Sequence, residues 1–395
     1  MTWVMAILLL SVQASVEAAT YYVATTGSDS ADGSSGTPWR NPQKCATPPV
    51  AAGDTCLVRD GTYSVNGPQV ILISSSQSSA SGTAASPITI KADNDHGAKL
   101  VQPTRPGGGA AVAIYVSRPY YIIEGFEIDG TGVTYDTSST ISHAGIGVYA
   151  SNVTVRRNHI HHIARTQCSD SVFGNSGVFV NTGVSNITIE SNWIHTIGRL
   201  RNGESGCTTT IWQNDHGIYV TWGTDITIQR NVIYDTNRGY CLNIYSTSTS
   251  VHTRYKIYNN TFAGHAVSGS PTPSGQIIIG GVWVNGAITN NLFYEPTAEL
   301  IIQRFSLSAS SSGNVVSHNR TNVNVAGTDF MFGASTPAGF TSSNNTENSS
   351  LGFTNVACTQ SDGGCESEDF TLTSSSNAIG NGMNVGLPCN AGCDQ

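Results

Sequence analysis

Short apolar alternations broken by an Asn recur through the middle of the chain. NVTVRRNHIHHI begins at Asn152, NITIESNWIHTI at Asn186 and DITIQRNVIYDT at Asp225, followed by KIYNNTF from Lys256 and AITNNLF from Ala287. Within each copy β-branched residues alternate with polar ones, the period of a strand with one buried face. The first three copies each follow a second strand-like run, GIGVYA, GVFVNT or GIYVTW. One repeat therefore holds two or three short strands separated by turns. A strand of four or five residues cannot bury its apolar face alone, so successive copies must stack and share one core. The pattern predicts an all-β fold, a β-solenoid.

Asn158, Asn192, Asn231, Asn260 and Asn291 mark the same point of successive repeats at intervals of 34, 39, 29 and 31 residues. A constant motif at variable spacing means constant corners and loops of different size. Stacked Asn side chains can hydrogen-bond from coil to coil, and Asn tolerates the left-handed backbone of a sharp corner. These five are therefore read as structural. Composition agrees: 42 Gly, 11% charged residues and no stretch at helical period favour strands and turns. At 395 residues the chain fits one elongated domain, since a solenoid grows by adding coils.

The segments TYYVATTGSDSADGSSGTPW from Thr20, AAGDTCLVRDGTY from Ala51 and DFTLTSSSNAIGNG from Asp369, together with the N-x-I repeats, resemble the pectin-lyase-like superfamily of right-handed parallel β-helix proteins. The likeness runs from about Thr20 to Asn384. It implies a parallel β-helix over 20–345, including an N-terminal cap. Residues 346–395 lose the coil rhythm and are expected to cover the open end of the solenoid, where sheet edges would otherwise be exposed. The superfamily includes polysaccharide lyases, glycoside hydrolases, uronate epimerases and non-catalytic surface proteins, so fold alone does not settle function.

Residues 1–19 join the apolar run VMAILLL to the small-residue stretch SVQASVEAA, which reads as a secretory signal lacking the usual Lys or Arg at its start. The run is too short to span a membrane. Nine Cys agree with an oxidising, extracellular compartment. Cys45 with Cys56, Cys358 with Cys365 and Cys389 with Cys393 are local pairs, and stacking of coils brings Cys168 to Cys207. Cys241, at an apolar strand position in GYCLNIYS, is left as a buried free thiol.

Two insertions interrupt the rhythm, ARTQCSDSVFG after Ile163 and GRLRNGESGCTTTIWQND after Ile197. Long loops on a rigid scaffold are where function concentrates. In the resembled superfamily the sheet beneath such loops forms the carbohydrate groove. Aligning strands by their Asn puts His143, Asn175, Asp215 and Gly239 at one level and Ala144, Ser176, His216 and Tyr240 at the next, with Tyr219 and Asn243 further along. Parallel strands lie about 4.8 Å apart, so Asp215, His216 and Arg238 become neighbours across coils.

Eight of the fourteen Arg fall between Arg156 and Arg254 in a chain of net charge -8. Guanidinium groups match carboxylates in a two-pronged way, so Arg199, Arg201 and Arg238 are candidates for holding the uronates or sulfates of an acidic polysaccharide. Trp212, Trp222, Tyr219 and Tyr240 are candidates for stacking on sugar faces, with Glu204, Asn243 and His143 lining the same groove. β-Elimination needs a neutralised uronate carboxylate, a base and an acid for the leaving oxygen. Arg238 or Arg199 would neutralise the carboxylate, with a calcium ion on Asp215 as an option, and His216 or a nearby Tyr would move the proton.

The expected function is thus a secreted carbohydrate-active protein, a polysaccharide lyase first. Glycoside hydrolysis through Asp215 with Glu204 or Asp170 is the alternative, as is a glycan-binding or cell-surface solenoid without chemistry. His161 and His195 share a register position continued by Tyr234 and Tyr294, which reads as a side-chain ladder rather than a metal site. No phosphate loop, zinc-type Cys and His set or nucleophile elbow occurs, so nucleotide and nucleic-acid roles are not expected. A monomer is expected.

Overall fold

The computed structural model describes residues 17–65, 67–103, 111–133, 143–170, 173–210, 214–245, 247–264, 276–295, 301–325, 328–356, 369–380 and 382–383. They form a right-handed parallel β-helix whose coils each contribute one strand to three sheets. In one coil His143–Val148 lies in the first sheet, Val153–Arg156 in the second and His159–His161 in the third. The next coil repeats this with Ser176–Val180, Val184–Glu190 and Trp193–His195, and the following one with His216–Val220, Gly223–Gln229 and Val232–Ile233. Among the described residues there is no α-helix.

Parallel, in-register stacking puts the same residue type at the same depth in coil after coil. On the second sheet Ile123, Val155, Ile189, Ile228, Ile257, Ile288 and Val316 form one buried column. Each alternate position points inward, so the core is a continuous apolar rod that no single coil could close. The glycines that open GIGV, GVFV and GIYV have a steric cause. A Cβ on Gly145, Gly177 or Gly217 would stand 2.6, 2.6 or 2.4 Å from the Cγ2 of Ile160, Ile194 or Ile233 on the third sheet.

The five marker Asn are a buried ladder, and the ladder runs two rungs further, to Asn319 and Asn345. From Asn192 on, each Oδ1 accepts from the backbone N–H and from the Nδ2 of the preceding rung: Asn231 Oδ1 takes both from Asn192, at 3.0 and 2.9 Å, while the first rung, Asn158, accepts the Phe126 N–H. Each Nδ2 in turn donates to a carbonyl of the preceding coil, as from Asn231 to Ile189 O at 2.9 Å. The left-handed corner falls one residue earlier than the sequence suggests, on Arg157, Ser191, Arg230, Asn259, Asn290, His318 and Asn344, all with φ between 54 and 61°. The Asn amides hold that corner from the adjoining position.

Asn231→Ala is expected to cost about 2–4 kcal/mol, because it leaves the buried Asn192 N–H without its acceptor and removes one partner each from Asn192 Nδ2 and the Ile189 carbonyl. The same change at the half-buried last rung, Asn345, should cost clearly less. Urea midpoints of the two variants measure the difference.

At the N-terminal end Thr20–Val23 pairs with Thr55–Val58 in the second sheet, and the Cys45–Cys56 disulfide ties a short 3-10 turn to that strand. Beyond 345, Phe353–Asn355 and Asp369–Leu372 form an antiparallel pair. Their aromatic rings pack sideways on the outer face of the third sheet, Phe370 lying 5.0 Å from Tyr234. The described residues of this segment thus cover a flank of the solenoid. Residues 1–16, Trp212, Cys358, Cys365, Cys389 and Cys393 lie outside the described residues. No helix among the described residues is long and apolar enough to cross a membrane.

Candidate functional site

Both insertions leave the third sheet and re-enter the first, so they overhang the same edge on adjacent coils. Cys168 and Cys207 are joined, as coil stacking predicts, with Cα atoms 5.6 Å apart. Such a bridge contributes about 2–4 kcal/mol. Cys241 is free and buried, its thiol pushed up to about 12 by burial.

His143, Asn175 and Asp215 stand at one level. They form a second, shorter polar ladder: Asn175 Oδ1 accepts from His143 N–H at 2.9 Å, and Asp215 Oδ1 accepts from Asn175 N–H at 2.8 Å and Nδ2 at 2.9 Å. Asp215 is fully buried, and its Oδ2 takes hydrogen bonds from Arg199 N–H and Nε, each at 2.9 Å. Burial alone would raise this carboxyl; the Arg199 guanidinium and its hydrogen bonds outweigh it, and Asp215 is held below the usual carboxylate range.

Arg238 does become a neighbour of Asp215, and it too is buried. Its Nη1 donates to Ser169 O and its Nη2 to Thr209 Oγ1, both at 3.0 Å, tying the two insertions together. Burial draws its guanidinium down to about 10, against the opposing pull of Asp215. Arg201 Nε donates to Asn237 O at 2.9 Å. Glu204 meets Arg165 at 2.5 Å and accepts from Arg201 N–H and Asn237. Asp170 accepts from Thr209 and Thr210. Arg199, Arg201, Arg238, Glu204 and Asp215 therefore act in this arrangement as staples of the insertions, directed at protein groups. Asp215 does not fit calcium, since its oxygens already serve Arg199 and Asn175.

His216 differs, because its ring lies on the outer side of the first sheet. Nδ1 accepts the Tyr240 N–H at 3.2 Å, and the Asn243 amide lies 2.9 Å from Nε2. With Nδ1 accepting, the neutral ring carries its proton on Nε2, which calls for the amide oxygen of Asn243 on that side. Burial lowers His216 to about 4. Tyr240, buried against it at a ring distance of 5.7 Å, donates its hydroxyl proton to Gln303 at 2.7 Å.

From His216 an aromatic row runs along the outer face of the first sheet. Tyr219 lies 5.3 Å from His216, Phe179 5.6 Å from Tyr219, Tyr149 5.5 Å from Phe179 and Tyr115 4.3 Å from Tyr149. Tyr115, Gly147, Phe179, Tyr219 and Asn243 occupy one register row. Gly147 is the gap in it: a Cβ there would come 2.8 Å from the Tyr149 ring, which lies across the vacant position. Sequence reasoning found Tyr219 and missed Tyr115, Tyr149 and Phe179, although Phe179 and Tyr219 share their place in GVFV and GIYV. Trp222 is 37% exposed, its ring 3.4 Å from the Cβ position of Gly183.

The third sheet carries a different surface. His161 and His195 stack at 5.3 Å and His195 and Tyr234 at 4.9 Å, the ladder expected from the sequence. Beside that ladder is a cleft of about 340 Å³ lined by Lys99, Glu127, Asp129, Thr131, His159, His161 and His195. Lys99 Nζ bridges Glu127 at 2.7 Å and Asp129 at 2.9 Å. Its partners Glu127 and Asp129 come from a coil with no marker Asn, so sequence spacing gave no register for them.

No family model matches the chain, and no curated protein sequence matches it. Among solved structures the chain is similar to pectate lyase Pel9A, at 16% identity over 95% of each chain with a TM-score of 0.53. An alginate lyase from Paenibacillus sp. str. FPU-7 aligns at 16% identity over 83% of this chain and 95% of its own, with a TM-score of 0.46. At such identity the likeness to Pel9A is one of fold, the right-handed parallel β-helix.

Proposed function

We propose that the protein is a secreted carbohydrate-active enzyme that lays an acidic polysaccharide along the outer face of the first sheet and cleaves it by β-elimination. The observation that carries this reading is the row Tyr115, Tyr149, Phe179 and Tyr219, which runs along the solenoid axis and ends at His216 beside the insertions. Aromatic faces supply large apolar contact with a polar hydroxyl at the rim, which suits sugar rings. The reaction class is taken from Pel9A, whose fold the chain shares. The two disulfides among the described residues support an oxidising, extracellular setting.

In this reading Arg199, Arg238 and Asp215 are positioning residues that brace the insertions over the groove. Tyr219 is the group that handles a proton at the sugar, and the buried His216 ring, held between the Tyr240 N–H and Asn243, positions it. Burial raises the Tyr219 hydroxyl, so it stays protonated at neutral pH and suits donation to the leaving oxygen. The burial of Asp215, Arg199 and Arg238 favours a second reading, a glycan-binding solenoid without turnover.

Purified protein mixed with pectate, alginate and glycosaminoglycans should generate the ultraviolet absorbance of an unsaturated uronate with one of them. Tyr219→Phe should remove that signal while retaining binding, and Tyr149→Ala should weaken binding about 3- to 10-fold. Binding without absorbance in the wild-type protein would select the second reading. Binding untouched by Tyr149→Ala and Tyr219→Ala would place the groove elsewhere.

A further inference from the structure

The third-sheet cleft lies on another face of the solenoid and has no part in the function proposed above. Glu127, on the strand Glu127–Asp129, is paired in register with His159, on the strand His159–His161. His159 and His161 are two residues apart on one strand, so both rings leave the same face. His161 Nε2 stands 3.2 Å from Glu127 Oε1. One donor atom from each of Glu127, His159 and His161 lies within 4.8 Å of the other two.

Two imidazoles and one carboxylate with an open side make a set that first-row transition ions accept, zinc with a water in the fourth position among them. A tetrahedral ion with bonds of about 2.0–2.1 Å wants its donors roughly 3.3 Å apart, which modest rotations of the partly buried Glu127 and His159 side chains against the buried His161 supply. A supporting layer is already in place. His195 Nε2 is 2.7 Å from His159 Nε2, and His195 Nδ1 is 2.9 Å from Thr196 Oγ1, so the His159 ring is oriented from behind. What occupies the cleft mouth is the Lys99 ammonium, 2.7 Å from the same Glu127 oxygen that His161 faces.

We propose that Glu127, His159 and His161 form a binding site for a divalent first-row transition ion of the zinc type, and that the ion displaces the Lys99 ammonium on entering. Lys99 is a resident cation on a flexible, one-third exposed stem, so it holds the carboxylate in register until the metal arrives. Two cations competing for one carboxylate make a specific prediction: removing the lysine tightens metal binding, whereas removing either ligand type destroys it.

The test uses the untagged full chain, stripped with chelator and titrated with Co²⁺ by visible absorption and with Zn²⁺ by calorimetry. One ion per chain is expected, with a cobalt spectrum of four- or five-coordinate character. Glu127→Gln, which keeps the side-chain shape, and His161→Ala should each weaken binding at least about tenfold. Lys99→Met should tighten it about fivefold. The far-ultraviolet circular dichroism of each variant checks that the solenoid is intact. Absence of stoichiometric binding in both the wild-type protein and Lys99→Met would overturn the proposal. So would binding that survives Glu127→Gln but is lost in Asp129→Asn and His162→Ala, since those residues form a separate donor group with His161.

Discussion

Asp215→Ala is expected to destabilise the native state by about 3–5 kcal/mol, the usual result of removing one partner from a buried ion pair. The loss is large because one carboxylate serves two insertions. It neutralises Arg199, which has no exposure to water, and it accepts the N–H and Nδ2 of Asn175. Asp215→Asn keeps an acceptor for Asn175 but leaves the guanidinium uncompensated, so it should stay close to the Ala variant. Adding Arg199→Met to Asp215→Asn should recover much of the loss, because a buried pair replaced by groups of similar volume is often close to neutral. Urea unfolding of the two singles and the double measures this coupling. A shift below about 1 kcal/mol in Asp215→Ala would contradict the structural role and return Asp215 to the list of reacting groups. Where the role holds, activity lost in Asp215→Ala should track folded protein, unlike activity lost in Tyr219→Phe.

Stability should also fall steeply as the pH drops from about 6.5 towards 4. His216 and His252 are buried, and burial lowers each to about 4. In the unfolded chain both titrate near the ordinary value of about 6.5. Between those values the unfolded state binds protons that the native state refuses, so the native state loses ground as acid is added. The contribution is fully present above about 6.5 and is lost as the pH falls through the native value. It amounts to about 1.4 kcal/mol per pH unit for each histidine, on the order of 3 kcal/mol each over the whole window. His252 packs against Trp283 at 5.5 Å and Tyr255 at 5.4 Å, so His252→Phe suits the site; because burial also lowers His159 and His195, it should reduce the slope by about a quarter. Asp215 acts in the same direction at lower pH, its lowered carboxyl losing its contribution only as the pH falls below the unfolded value near 3.9. Urea midpoints from pH 7 to 4 provide the check, and a flat profile would contradict the buried neutral state of both rings.

The repeat was legible because it is local. Period-2 apolar alternation needs only neighbouring residues, and each marker Asn announces a corner without reference to the rest of the chain. The two rungs that escaped notice, Asn319 and Asn345, sit in SHNRT and SNNTE, where polar neighbours hide the strand before the corner. The levels of His143, Asn175 and Asp215, the Cys168–Cys207 bridge and the His161–His195 ladder were legible for a related reason. In-register parallel stacking turns a position within a repeat into a position in space.

What the residue order could not convey was direction. Alignment brought Asp215, His216 and Arg238 together, yet two of them point into the molecule and one outward, because the glycine of each first-sheet strand and the residue after it both face the core, which shifts the alternation there. Nor could it show that Arg199, from the middle of an insertion, turns back to cover Asp215. Loop paths follow from where buried charge finds its partner, and that depends on atoms from three coils at once. The cleft of Lys99, Glu127 and His161 has the same origin. Strand period and corner chemistry belong to short segments and survive in the chain as written, whereas burial, ion pairing and the facing of side chains arise only when distant coils come within a few ångströms of one another.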